Sequence, residues 1–317
     1  MIGFSLVHLA FRVFHNLALS VLVLLGQKAL AADSVEFTKD NARITITADG
    51  KTLLKYKYAE VPCKPYVEEF YSPAGVNVLR DAPADHLHHH GLMFAVKVDG
   101  VNFWEEKTDP GVQKTVDLSE VEKHEFGGVD WTGLKTKIDW TGPVDGKVLL
   151  KEERVIEVAT DREGRASGMT WTSTFSLPEG KASATLTGTP YHGLGVRFPV
   201  SMDAGGSFLN SEGKTGVEGT NDARANWCAY TAEADGKQVT LAMLDHSANM
   251  RHPATWYTMN QPFAYLSSTL NLAKEPLEIK APESLCLRYA LVLWDGKLDA
   301  PKLGDLYKKW VALPLAK

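Results

Sequence analysis

Apolar and polar residues alternate with a period of two along much of this chain, the pattern of strands that bury one face. Ala42-Arg43-Ile44-Thr45-Ile46-Thr47 alternates in this way, Asp49-Gly50 supplies a turn, and Leu53 to Tyr58 returns, which predicts a hairpin. Leu92 to Val98 is mostly apolar, Asp99-Gly100 turns the chain, and Val101 to Trp104 begins the return strand. Asp-Gly pairs recur at Asp145-Gly146, Asp235-Gly236 and Asp295-Gly296, beside the strand-like runs Val148 to Val158, Val239 to Leu244 and Leu287 to Trp294. Thr170 to Leu177 and Ser183 to Gly188 read as a further pair around Pro178-Glu179-Gly180. The turns fall at irregular intervals, so no internal repeat is read. Helical spacing is clear only near the end, where Pro301 suits a first turn and Leu303, Leu306, Tyr307, Trp310 and Val311 share a face. The pattern predicts an all-β, antiparallel fold, a large sandwich or a barrel, with one C-terminal helix.

The N-terminus follows a different pattern. Arg12, the apolar run Leu17 to Leu25 and the small-residue site Ala29-Leu30-Ala31 predict a signal peptide over residues 1–31. An uncleaved membrane anchor is the competing reading, and the apolar run is short for a span. No later stretch is long and apolar enough to cross a bilayer as a helix. The expectation is therefore a periplasmic or secreted protein in which residues 32–317 form one β-sandwich domain. A net charge of −5 offers no basic footprint for phosphates, which argues against nucleic acid as a partner. The absence of a Gly-rich phosphate loop or strand-helix alternation argues against nucleotide-binding folds. Cys63, Cys228 and Cys286 match no zinc spacing, and they leave open either one bridge or buried free thiols.

Candidate chemistry concentrates in three patches. The first, Asp85-His86-Leu87-His88-His89-His90-Gly91, has four imidazoles ahead of a strand. In an extended backbone His86, His88 and His90 would face one way and His89 the other. The second, Asp245-His246 to Trp256, follows a strand and adds Arg251 and His252. The third, Tyr191-His192 to Pro199, adds another histidine, so that beyond residue 31 only His124 stands apart. Gly205 to Ala225 lacks periodicity and reads as a long loop.

Imidazoles next to carboxylates can exchange protons near neutral pH, so His86, His88, Asp245, His246 and His252 are the catalytic candidates. The same groups admit one divalent metal ion, held by His86, His88 and His246. Asp85, His89, Arg224, Arg251 and Trp256 are the candidates for binding substrate, through charge, hydroxyl contacts and ring stacking. The bland alternatives are that Asp85 orients His86, that the arginines make surface pairs, and that tryptophans such as Trp104 fill the core. The first two patches are expected to meet in one pocket.

Asp85-His86-Leu87-His88-His89-His90-Gly91 and Asp99-Gly100-Val101-Asn102-Phe103-Trp104 resemble the signature of a bacterial family labelled PmoA-like. The resemblance extends to Asp245 to Trp256, to Gly193 to Pro199, and to Arg224 with Trp227, and covers roughly residues 40 to 312. Leu87 and His90 depart from that pattern, which has proline and arginine there. Size, hairpin number and fold-level analogy favour the wide sandwich of the galactose-mutarotase type. Three functions follow. A carbohydrate-active enzyme, an epimerase, lyase or hydrolase acting on a sugar or sugar acid, suits the His, Asp, Arg and Trp inventory. A non-catalytic sugar-binding module and a soluble copper- or metal-dependent oxygenase, which the family label suggests, are the alternatives.

Overall fold

The first period-two runs pair as their turns dictate. The structure, a computed structural model, describes residues 35–126, 129–160 and 165–312; the expected signal peptide lies outside them. Strands β1 (Val35–Lys39), β2 (Arg43–Ala48) and β3 (Lys51–Lys57) form a meander, with Asp49 and Gly50 at positive φ in its second turn. The chain continues through β4 (Tyr66–Phe70) and β5 (Leu92–Ala95) to the short hairpin β6 (Lys97–Val98) and β7 (Val101–Asn102). Four long strands follow: β8 (Val112–Phe126), β9 (Val129–Thr141), β10 (Val148–Thr160) and β11 (Ala166–Ser176). Next come β12 (Ser183–Thr187), β13 (Gly193–Arg197), β14 (Ser207–Asn210), helix α1 (Gly216–Thr220) and β15 (Ala223–Arg224). The rest comprises β16 (Trp227–Ala234), β17 (Lys237–Asp245), β18 (Thr255–Met259), β19 (Tyr265–Thr269), β20 (Leu277–Lys280), β21 (Leu285–Asp295) and helix α2 (Ala300–Val311).

These strands build a nine-stranded sheet, β1-β2-β3-β4-β5-β13-β19-β18-β15, and an eight-stranded sheet, β14-β16-β17-β21-β11-β10-β9-β8. A small third sheet has the order β20-β12-β6-β7. The described residues thus form the antiparallel, galactose-mutarotase-like sandwich that the sequence predicts, with its C-terminal helix. Two local expectations do not hold. β11 and β12 flank the Pro178-Glu179-Gly180 turn but lie in different sheets, because β11 pairs with β10 and β21 while β12 pairs with β20 and β6. The span Gly205 to Ala225 contains β14, α1 and β15 rather than one irregular loop.

Phe94, Trp140, Trp171, Phe175, Trp256 and Leu291 belong to the core between the large sheets. Arg154 is fully buried there, bonded by Nε and Nη2 to Glu152 at 2.8 and 2.9 Å, and by Nη1 to the Tyr56 hydroxyl at 3.1 Å. Because Tyr56 belongs to one sheet and Arg154 to the other, the buried ion pair also ties the layers together. Ala229, Ala242 and Ala290, on the outer side of the eight-stranded sheet, leave a trough for Leu303, Leu306, Tyr307 and Trp310 of α2. Asp299 caps that helix, its carboxylate accepting from the Lys302 amide at 2.8 Å. Cys63, Cys228 and Cys286 are free thiols.

Candidate functional site

Loop 81–91 is shaped by successive turns, not by a strand. The His86 amide donates to the Pro83 carbonyl at 2.8 Å and the His89 amide to the His86 carbonyl at 2.9 Å. The alternation expected of an extended backbone is therefore lost. His86, His88 and His89 gather instead, with ring centroids 4.7 to 5.7 Å apart, and His90 turns away from them. His90 Nδ1 lies 2.7 Å from Asp81 Oδ1 and its Nε2 lies 3.1 Å from Glu106 Oε1, while its ring stacks on Tyr66. Fully buried Lys64 pairs with Glu106 and donates to the Trp104 carbonyl at 3.1 Å. One polar network thus fastens both the histidine loop and the segment that carries Trp104 and Glu105. Gly91 closes the loop at φ +43°, where a β-carbon would lie 3.2 Å from the Glu68 carbonyl oxygen and closer still to that of Val67.

The three gathered imidazoles border a cavity of about 370 Å³, lined further by Glu105, Lys107, Tyr191, Tyr257, Met259, Phe263 and Tyr265. Strand period sets its floor. Tyr257 and Met259 alternate with Trp256 and Thr258, which point into the protein, and Met259 sits opposite Tyr265. Gly195 makes room for these rings, because a β-carbon there would lie 2.7 Å from Tyr265 Cζ, closer to its hydroxyl, and 3.1 Å from Trp104 Cη2. Trp104 in turn stacks on His192 at 5.0 Å, as the core reading of this tryptophan anticipates.

Electrostatics give the lining two kinds of group. Burial, aided by the positive charges of Lys64 and Lys107, pushes the His88 pKa down to about 4. Burial and the neighbouring imidazoles push His89 down to about 2, so both rings are uncharged at neutral pH. Burial opposes the ionisation of Glu105, but the His192 imidazole 3.5 Å away and bonds from Asn102 and Tyr191 outweigh it and hold the carboxyl below its usual range. The Tyr191 hydroxyl donates to Glu105 Oε1 at 2.8 Å. Asp85, expected to touch substrate, is placed outside the lining. It accepts from Arg197 Nη2 at 3.1 Å and lies 3.0 Å from His86 Nδ1, which orients that ring.

The second patch lies elsewhere. Val196 pairs with Leu92 and Leu266, and Gly193 with Ala95 and Thr269. This register puts loop 81–91 at the Tyr265–Met259 end of the nine-stranded sheet. The loop from Asp245 to Ala254 enters β18 at the opposite, Thr255–Thr269 end, and none of its residues lines the cavity. The two patches are not brought together. Asp245 is instead the hub of its own loop, its Oδ2 lying 2.8 Å from His252 Nδ1 and accepting from the Ala254 amide at 2.9 Å, while Oδ1 accepts from Asn249 at 2.7 Å. His246 accepts from the Ala248 amide at 3.0 Å and packs edge-on against Trp310 of α2. Arg251 donates to the carbonyls of Leu270, Glu275 and Pro276, and Arg224 to those of Arg251, His252 and Pro253. Trp256 is buried, its indole N–H bonded to the Ala225 carbonyl at 2.7 Å, and is no exposed stacking platform. His86 and His88 are therefore not joined by His246, and among the described residues no three His, Cys, Asp or Glu side chains are placed to hold one metal ion.

Sequence reasoning missed Glu105, Lys107, Tyr191, Tyr257, Phe263 and Tyr265. Glu105 directly follows the Phe103-Trp104 pair, and Tyr191 opens the third patch, where only its histidine neighbour drew attention. Tyr257 carried a signal in the strand period, as a large polar aromatic on the outward side of β18.

Among solved structures the chain is similar to the family 36 α-galactosidase AgaB from Geobacillus stearothermophilus, with 9% identity and a TM-score of 0.51 over 84% of this chain and 42% of that one. An α-galactosidase from Lactobacillus brevis gives 5% identity and a TM-score of 0.47, over 87% of this chain and 42% of that chain. A galactose mutarotase related enzyme from Lactobacillus acidophilus gives 7% identity and a TM-score of 0.35, over 84% of this chain and all of that one. The chain thus spans less than half the length of the α-galactosidases. No curated protein sequence matches it. The family whose model matches residues 43–308 is described as a family of unknown function, DUF6807, which replaces the PmoA-like resemblance read from the motifs. The chain belongs to this family of unknown function.

Proposed function

We propose that this protein is a carbohydrate-active enzyme that transfers protons at a sugar ring held in the cavity between His86, His88, His89 and Glu105. One observation carries the reading: uncharged imidazoles and an ionised carboxylate face a single cavity of about 370 Å³ whose other walls are largely aromatic, from Tyr191, Tyr257, Phe263 and Tyr265. That volume lies within the range of small-ligand sites, ~300–1,000 Å³. A neutral imidazole both donates and accepts, which suits it to pass a proton to or from a sugar oxygen. Glu105, fixed by Tyr191 and Asn102, supplies a permanent negative charge for a ring hydroxyl or a developing positive charge. Tyr191, Tyr257 and Phe263 offer apolar faces for the C–H side of the ring. The fold is shared with a carbohydrate-active enzyme, which is consistent with this use of the cavity. Residues 1–31 support export to the periplasm or beyond, and N-terminal sequencing of the product checks this.

The test is turnover. Purified protein is incubated with neutral hexoses, uronic acids and disaccharides, and products are followed by NMR. Turnover of at least one class is expected, with a loss of ~10²-fold or more in His88→Ala at unchanged melting temperature. Binding without turnover would leave a sugar-binding module, and neither would remove the reading.

A further inference from the structure

Lys107 stands exposed on the rim of the cavity, and among the described residues no carboxylate pairs with it. Lys64 lies fully buried behind the same histidines. Glu105 is the one negative charge in the lining, and its oxygens already accept from Tyr191 and Asn102. At His88 the positive charges of Lys64 and Lys107 act with burial to disfavour protonation, against the carboxylate of Glu105. His88 and His89 line the same cavity as uncharged imidazoles. An ammonium without a carboxylate partner beside two uncharged imidazoles in one cavity suits an anion with two oxygens.

Resting on the sugar-site reading above, we infer that the ligand is a sugar acid whose carboxylate seats between the Lys107 ammonium and the imidazoles of His88 and His89. The ring then extends toward Glu105, Tyr191 and Tyr257, which meet its hydroxyls. Binding has a chemical consequence. A carboxylate at Lys107 offsets part of the positive charge that adds to burial in lowering the proton affinity of His88, so His88 binds protons more readily with a sugar acid bound than with a neutral sugar.

The experiment compares D-galacturonate with D-galactose, and D-glucuronate with D-glucose, by titration calorimetry on the whole protein at pH 7. Each pair shares its ring and differs at the carboxylate. The acids are expected to bind about tenfold tighter or more, the difference one charge-assisted hydrogen bond makes. Lys107→Gln should remove most of that gap while changing the affinity for neutral sugars by less than about twofold, because it leaves the other hydrogen-bonding groups in place. The C–H resonances of the His88 ring should titrate at higher pH with D-galacturonate bound than with D-galactose. Equal affinity for acids and neutral sugars, or a preference that survives Lys107→Gln, overturns the inference alone. If no sugar of either kind binds, the inference falls together with the sugar-site reading.

Discussion

Gly195→Ala puts a methyl group where the cavity floor has no space. The added carbon would lie 2.7 Å from Tyr265 Cζ, closer still to its hydroxyl, and 3.1 Å from Trp104 Cη2, whereas ordinary contact begins at 3.4 Å, so the hydroxyl end of the tyrosine must retreat by more than an ångström. It has little room to do so. Tyr265 is 2% exposed and is enclosed by His89 at 5.4 Å and Trp104 at 6.3 Å between ring centroids. Overpacking of this kind costs about 1–3 kcal/mol. At roughly 2–4 °C per kcal/mol for a domain of this size, the melting temperature should fall by about 2–12 °C. Gly142→Ala is the control, since a β-carbon there meets nothing closer than Leu149 Cδ1 at 3.7 Å. Thermal unfolding followed by circular dichroism reads both variants, and sugar titration reads the cavity. A Gly195→Ala protein that melts with the parent and binds the same ligand equally well would show that this floor is not packed as described.

Glu106→Gln leaves fully buried Lys64 without its counter-charge and should cost about 3–5 kcal/mol, whereas replacing Lys64 by Met and Glu106 by Leu together should cost far less; urea unfolding separates the two. Ending the chain at Ala300 removes Leu303, Leu306, Tyr307 and Trp310 from the outer sheet face, and Leu306→Ala alone should cost about 2–5 kcal/mol; parent-like melting of either would make the helix peripheral. Acidification should destabilise the protein through His88 and His246, whose folded pKa of about 4 lies below the ordinary value of 6.5. Between these values the unfolded chain binds more protons than the folded one, so unfolding free energy falls as pH falls through that window. Asp81 and Glu106 raise the proton affinity of His90 and oppose this slope. Melting temperatures from pH 7 to 4 should decline, and less steeply in His88→Gln.

The strand pattern made most of the sandwich legible, because period two and Asp-Gly turns are local signals, as at Ile44 to Leu53. Helix α2 was legible for the same reason, its apolar face and Pro301 being adjacent in sequence. The separation of the two histidine patches was not. It depends on the register of β13 against β5 and β19, which puts loops 81–91 and 245–254 at opposite ends of one sheet although both join polar residues to strands. The direction of His90 was hidden for a different reason: turns at Pro83 and His86 replaced the expected extended backbone. Glu105 and Tyr265 gain their meaning from Gly195 and Asn102, partners that no local pattern reveals.

The claim that the His86–Glu105 cavity, and not the Asp245 loop, is the working site is tested most directly by paired substitutions. Glu105→Gln removes the fixed charge of the cavity, and His252→Ala removes the imidazole that leans on Asp245. Both are assayed as kcat/KM on the sugar that the parent turns over best, with melting temperature recorded alongside. A loss of about 10²-fold or more is expected for Glu105→Gln and a change within about threefold for His252→Ala, which touches no group lining the cavity. A full loss in His252→Ala with Glu105→Gln still active would contradict that claim.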